Sequence, residues 1–193
     1  MDDLFYTIEN TAKVEIKRKG SRFIAETVIV HSIESANEEL AAIRKREHAA
    51  THHCYAYRVG MPDNINFKYS DDGEPSGTAG RPIYDVVCGR EVTNILLVVT
   101  RYYGGTKLGT GGLARAYGDA ARSAMEKSGR CKNYLSERFN VEIEFNLYDK
   151  LVRILHRLQV GQNQTDFSDH VTLELEVRRT MIEQTISEIV QLS

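Results

Sequence analysis

Ile95-Leu96-Leu97-Val98-Val99-Thr100-Arg101-Tyr102-Tyr103-Gly104-Gly105-Thr106-Lys107-Leu108-Gly109-Thr110-Gly111-Gly112-Leu113 sets the architecture of this chain. Ile95 to Val99 is apolar without alternation and has the length of a strand. Thr93 to Arg101 is therefore expected to be buried on both faces, at the centre of a sheet. Gly104 to Gly112 reads as a glycine-rich loop. Behind it Leu113, Ala116, Tyr117, Ala120, Ala121 and Ala124 recur at helical spacing, Lys127 complements the C-terminal dipole and Gly129 offers a left-handed stop. Two readings fit a strand that hands over to a helix through glycines. Free amides and the helix dipole attract an anion, helped by Lys107, Arg115 and Arg101; or the glycines simply permit close strand-to-helix packing. The loop lacks the Gly-Lys-Ser/Thr ending of a Walker A motif and the third glycine of a dinucleotide fingerprint.

Upstream, Lys13 to Lys17 alternates as a strand, Lys19-Gly20-Ser21 is a turn and Arg22 to Val30 is a second strand. Ser35-Ala36-Asn37-Glu38 has the form of a capping box and opens a helix to about His48. Cys54 to Val59 is a third strand, Asp63 to Pro82 is too broken for a long element, and Ile83 to Cys88 is a candidate short strand. Downstream, Arg130 to Glu137 reads as a linker. Phe139, Val141, Ile143 and Phe145 alternate as a strand, and Leu147 to Gln159 is an amphipathic helix. Gly161 to Ser168 is a polar edge strand and Val171 to Val177 another strand. Thr180-Met181-Ile182-Glu183 is a second capping box that opens a last helix. The order β-α-β-β-α is a ferredoxin-like split βαβ arrangement whose last strand is missing or unrecognised.

The composition bounds the function. Hydrophobic residues make up 41% and charged residues 27% of 193, which suits a folded chain. A net charge of −2 gives no general attraction to polyanions, so any nucleic-acid contact must rest on a local basic patch. Cys54, Cys88 and Cys131 make no disulfide framework or CxxC pair and fit a reducing compartment. The acidic start Met1-Asp2-Asp3 carries no leader pattern and no apolar run reaches membrane-spanning length. A cytoplasmic protein without membrane contact is expected.

Three further segments carry candidate chemistry. Asp71-Asp72-Gly73-Glu74-Pro75-Ser76-Gly77-Thr78-Ala79-Gly80-Arg81-Pro82 is either a surface loop built from turn formers or a binding loop, with the carboxylates of Asp71, Asp72 and Glu74 as candidate metal-binding or acid/base groups. It lacks an EF-hand pattern, and no metal is assigned. In Thr51-His52-His53-Cys54 a histidine stands beside a thiol. Neighbours on a strand point to opposite faces, so His53 and Cys54 should diverge, and a structural histidine pair is the better reading. Finally, Arg101, Lys107, Arg115, Arg122, Lys127, Arg130 and Lys132 with Tyr102 and Tyr103 form a basic, aromatic stretch. It suits phosphate contact with base stacking, or merely a solvated helix face.

These motifs together resemble the Impact/YigZ family: Lys19-Gly20-Ser21-Arg22-Phe23-Ile24-Ala25, Thr51-His52-His53-Cys54-Tyr55-Ala56-Tyr57, Asp71 to Pro82, and Arg101 through Tyr117, in order over the first two-thirds of the chain. The resemblance implies an α+β protein. Residues 1–130 would take the fold of ribosomal protein S5 domain 2, and 137–193 would form a ferredoxin-like domain akin to RNA-associated modules of elongation factors. Eukaryotic members regulate translation by competing for an activator of a starvation-responsive kinase; the lack of an RWD domain makes this chain look bacterial or archaeal. The implied function is translation regulation, with RNA or the ribosome as partner. Alternatives are an enzyme acting on small phosphorylated ligands and a protein-interaction adaptor exposing an acidic or apolar patch near Asp71 to Pro75. The expected anion or nucleic-acid surface is Arg101, Tyr102, Gly104, Gly105, Lys107, Gly109, Thr110, Gly111, Gly112 and Arg115. The second motif loop is His52, His53, Asp71, Asp72, Gly73, Glu74, Pro75, Gly77, Thr78, Gly80 and Arg81, expected to converge with the first. No catalytic residue and no cofactor are assigned.

Overall fold

The structure, a computed structural model, describes residues 3–61 and 63–192, with only the backbone of Gln164. The acidic Met1-Asp2 start read from the sequence lies outside the described residues. The elements are β1 (Leu4–Thr7), β2 (Ala12–Arg18), β3 (Ser21–Ile29), α1 (Ile33–Arg46), β4 (His52–Met61), β5 (Asn64–Ser70), α2 (Gly80–Gly89), β6 (Ile95–Tyr102), α3 (Thr110–Ser128), β7 (Cys131–Tyr134), β8 (Ser136–Ile143), α4 (Tyr148–Leu158), β9 (Gly161–Phe167), β10 (Val171–Arg178) and α5 (Ile182–Val190). This is a mixed α+β chain. It divides into one compact unit, Phe5–Asn133, and a second formed by Tyr134–Ser193 with the residues up to Leu4.

In the first unit five antiparallel strands lie in the order β2-β3-β6-β4-β5. The apolar run does what its lack of alternation requires: β6 is central, and every residue from Ile95 to Arg101 is buried. Its odd positions, Ile95, Leu97 and Val99, join Phe23, Ala25, Cys54 and Ala56 beneath α2 and α3. Its even positions, Leu96 and Val98, join Tyr55, Tyr57 and Val59 beneath Ala36, Leu40 and Ile43 of α1. The period-two geometry of a strand thus assigns alternate side chains to two separate cores.

Several local expectations are corrected. α1 begins three residues before the expected capping box: Ser32 is the N-cap, Ser35 N–H donates to its hydroxyl at 3.1 Å, and Ser35 Oγ accepts from Ser32 N–H at 3.1 Å. Asn64–Ser70, read as part of a broken stretch, is strand β5. Ile83–Cys88, read as a short strand, lies in helix α2, where Ile83 and Val87 are buried one turn apart. The expected linker contains β7, which pairs with β1, itself not anticipated. Among the described residues no side chain caps the N-terminus of α5, whose N-cap is Met181. The Thr180 hydroxyl, expected to begin a capping box, donates instead to Asp3 Oδ2 at 2.5 Å.

The second unit has the expected β-α-β-β-α order. Its three antiparallel strands lie as β8-β10-β9, with Leu151, Leu155, Val171, Leu173, Leu175 and Val177 at the core.

Candidate functional site

The Asp71–Pro82 segment is tied down by its own carboxylates. Asp71 Oδ1 accepts from the amides of Ala79 (2.9 Å) and Gly80 (2.8 Å), and Oδ2 from that of Gly77 (2.8 Å). The N-terminus of α2 attracts an anion, as helix N-termini do, and the chain supplies that anion from eight residues upstream. Asp72 Oδ2 accepts from His53 N–H at 2.7 Å, and Oδ1 pairs with Arg44 at 2.6 Å. The Asp72 carbonyl accepts from His52 Nδ1 at 2.8 Å. Thr78 Oγ1 donates to the Pro75 carbonyl at 2.6 Å. Gly73 and Gly77 turn the loop at φ of 87° and 75°. Gly80 lies so close to Ser70 that a Cβ would stand 2.6 Å from its carbonyl carbon.

Glu74 joins this loop to the second motif. It is buried, and its Oε1 lies 2.5 Å from Arg101 NH1 and 2.8 Å from the Tyr117 hydroxyl, which donates to it. His52 Nε2 stands 3.9 Å away. Arg101, expected at the surface as an anion contact, is only 5% exposed and lies inside. Its guanidinium is 5.5 Å from the Phe23 ring and 5.4 Å from that of Tyr103, and among the described residues its Nε has no hydrogen-bond partner. Arg101 NH2 and the Gly104 amide both reach Ser21 Oγ, at 3.4 and 3.2 Å. Gly104 presses on the turn: a Cβ there would stand 1.9 Å from the Gly20 carbonyl carbon. Ser21, Phe23 and Tyr117 complete this buried cluster. The sequence signalled Tyr117 only as part of an apolar helix face, and nothing local announced a hydrogen bond to Glu74.

Beyond Gly104 the chain stands clear. Cβ atoms built at Gly105 and Gly109, at φ of 82° and 73°, would meet nothing within 4 Å. Lys107 is exposed, and among the described residues no side chain bonds the amides of Thr110, Gly111 and Gly112 in the first turn of α3, whose N-cap is Gly109. Tyr102 donates its hydroxyl to Glu47 at 2.8 Å. The basic residues beyond are largely paired: Arg122 with Asp119 (2.5 Å), Arg130 with Glu91 (3.2 Å), and Lys127 donates to the Lys13 carbonyl (3.1 Å). Arg115 lines a groove of 590 Å³ between α2 and α3 with Arg90 and Arg122. Arg81 pairs with Asp85 on α2 at 2.7 Å.

The thiol and histidines take structural positions. Cys54 is fully buried and donates its S–H to the Asp71 carbonyl at 3.0 Å; burial pushes its pKa up to about 12. Burial also lowers the pKa of His53, whose Nε2 lies 3.2 Å from the Glu47 carbonyl. A thiol held protonated is no nucleophile at neutral pH. In native protein, alkylation with iodoacetamide is expected at Cys88 and Cys131, both half-buried, well before Cys54. Peptide mass spectrometry over a time course reads the order, and early modification of Cys54 would contradict it. Among the described residues no group of three His, Cys, Asp or Glu side chains is placed to hold a metal, and no helix is long and apolar enough to cross a membrane.

Comparison with known proteins gives two matches to protein families: the Impact N-terminal domain over residues 19–125, and a domain of unknown function, DUF1949, over 141–193. The IMPACT family member YvyE of Bacillus subtilis is 35% identical over 170 residues, 88% of this chain and 78% of that protein. An IMPACT family member of Haemophilus influenzae is 33% identical over 190 residues, 97% of this chain and 92% of that one. A crystal structure described as that of a hypothetical protein aligns with a TM-score of 0.74 at 28% identity, covering 100% of this chain and 94% of the other.

Proposed function

Since the chain belongs to the IMPACT family, we propose that it is a translation regulator that contacts RNA, on the ribosome or free, through the glycine-rich loop before α3. The match to the Impact N-terminal domain over residues 19–125, with the translation regulation that the sequence resemblance implies for eukaryotic members, supports the first half of this reading. One contrast supports the second. The N-terminus of α2 is closed by Asp71, whereas among the described residues α3 starts without a side-chain cap, behind an open glycine loop that carries exposed Lys107 and leads to Arg115. The buried Glu74–Arg101–Tyr117 cluster serves as a rigid floor for that loop.

Two observations narrow the reading further. Asp71, Asp72 and Glu74 are all engaged within the chain, so they offer neither the acidic docking patch of an adaptor nor a free general base. The open face of the C-terminal sheet carries Glu142, Glu174, Glu176 and Asp166 against Arg138 and Arg178, a net negative balance that disfavours phosphate. RNA contact is therefore assigned to the first unit.

The test is anisotropy of a labelled single-stranded RNA across a salt series. Wild-type binding is expected to weaken steeply with salt. K107E/R115E should bind more weakly, with a log–log salt slope shallower by about one to two units, as two phosphate contacts are lost. Unchanged affinity in that variant would remove the RNA reading. Retention of a lysate partner after nuclease treatment would favour direct protein contact instead.

A further inference from the structure

We infer that the outer edge of β8 is a self-association surface, on which a second copy of this chain adds its own β8 antiparallel across a two-fold axis. In a split βαβ unit the second crossover returns the chain to the outside of the first strand, where a fourth strand completes the sheet. Among the described residues that position beside β8 is open, since the sheet runs β8-β10-β9 and stops. The two edges of this sheet differ. β9 is blunted: its sequence is Gly-Gln-Asn-Gln-Thr-Asp-Phe, and its pairing with β10 slips between Glu174 and Leu175. β8 has no such defence. It keeps unbroken register with β10 over eight residues, Ser136↔Arg178 to Ile143↔Val171, with no proline, lysine or bulge. Its core-facing side chains are incompletely covered as well. Phe139, Val141 and Ile143 remain half-buried, while Leu173 and Leu175 of β10 are fully enclosed.

The sequence of β8 names the occupant. Arg138-Phe139-Asn140-Val141-Glu142 is self-complementary about Asn140. When two copies run antiparallel with Asn140 facing Asn140, Arg138 of each copy stands opposite Glu142 of the other on the open face. Phe139 then stands opposite Val141 on the core face, covering what one chain leaves half-covered. Isologous symmetry makes each of these contacts twice, and the joined sheet has six strands with both unprotected edges removed. The sign of the charges also favours a second copy over a polyanion, because the rest of that face is net acidic, Glu174, Glu176 and Asp166 outweighing Arg178.

Sedimentation equilibrium of the full chain, over a concentration series, reads the association. Wild type is expected to dimerise reversibly. R138E and E142R, each of which sets two pairs of like charges opposite one another, should weaken the dimer by about tenfold or more. R138E/E142R reverses both partners and should restore it. Arg138 also lies 3.3 Å from Glu176 of its own chain, and that internal contact stays broken in the double variant. Recovery of the dimer there therefore reports the contact between chains alone. A wild-type chain that stays monomeric to concentrations on the order of millimolar overturns the proposal. So does a dimer that ignores the single reversals, or one that the double variant fails to restore.

Discussion

Arg101→Met is expected to lower the unfolding free energy by about 3–5 kcal/mol, the cost of leaving a buried carboxylate without its cation. Arg101 and Glu74 have side chains only 6% and 4% exposed and lie 2.5 Å apart, so neither charge can turn to water when the other is removed. Glu74→Gln should cost a similar amount from the other side, stranding the guanidinium against Phe23 and Tyr103 and weakening the acceptor that Tyr117 uses. The double replacement Glu74→Leu/Arg101→Met is expected to be less damaging than the two single effects added together, because an apolar pair strands no charge. Urea unfolding of wild type, Glu74→Leu, Arg101→Met and the double variant measures the coupling. Losses below about 1 kcal/mol in both single variants would mean that water reaches the pair as it reaches a surface one.

The same pair shows how much of the site was legible in the sequence. Arg101 lies at the end of an apolar run and Glu74 lies in a loop of turn formers, 27 positions away. Position alone made Arg101 a surface cation at the mouth of a loop. Strand parity places it instead on the same face as Ile95, Leu97 and Val99, beneath α3. The apolar run, the glycine loop and the α3 face carried their own signals, and the central strand and helix follow from them. The pairing that neutralises Arg101 depends on β4, β5 and α2 bringing the Asp71–Gly80 loop across the sheet, and no local pattern encodes it.

The missed elements have similar causes. In α2 the run Ile83 to Cys88 contains three β-branched residues, Ile83, Val86 and Val87, which argue locally for strand. The helix is selected by tertiary contacts that override this propensity: Ile83 and Val87 enter the core one turn apart, and Tyr84 turns toward β5, its ring 4.9 Å from that of Phe67. β5 itself was readable, since Ile65, Phe67 and Tyr69 alternate; the glycines and proline that follow obscured it. The basic stretch was legible as charge, but its pairing was not. Asp119, Glu91 and the Lys13 carbonyl take up Arg122, Arg130 and Lys127, which leaves Lys107, Arg115 and Lys132, of which Lys107 and Arg115 belong to the start of α3 and are the cations changed in K107E/R115E.

Asp71→Ala is expected to destabilise the chain by roughly 2–4 kcal/mol, through three amides that lose one shared acceptor. Most helices that need an N-cap find it in the adjoining residue; α2 has Ala79 there, which offers no side-chain oxygen. Asp71 does the work from a distance, bonding the Ala79, Gly80 and Gly77 amides together, and so closes the loop and starts the helix at once. A carboxylate has acceptor sites enough for all three bonds, and its charge complements the helix dipole. Asp71→Asn keeps the volume but has a single oxygen, and its NH2 group faces an amide donor. It should recover less than half of the loss. Because the same loop carries Glu74, a loosened Asp71 should also raise amide hydrogen exchange at Gly77, Ala79 and Gly80 ahead of β6. Urea midpoints with an unchanged m-value, together with exchange read residue by residue, give both numbers. An Asp71→Ala protein with native stability and protected amides would mean that water caps α2 equally well, and the contrast between the two helix starts would then lose its physical basis.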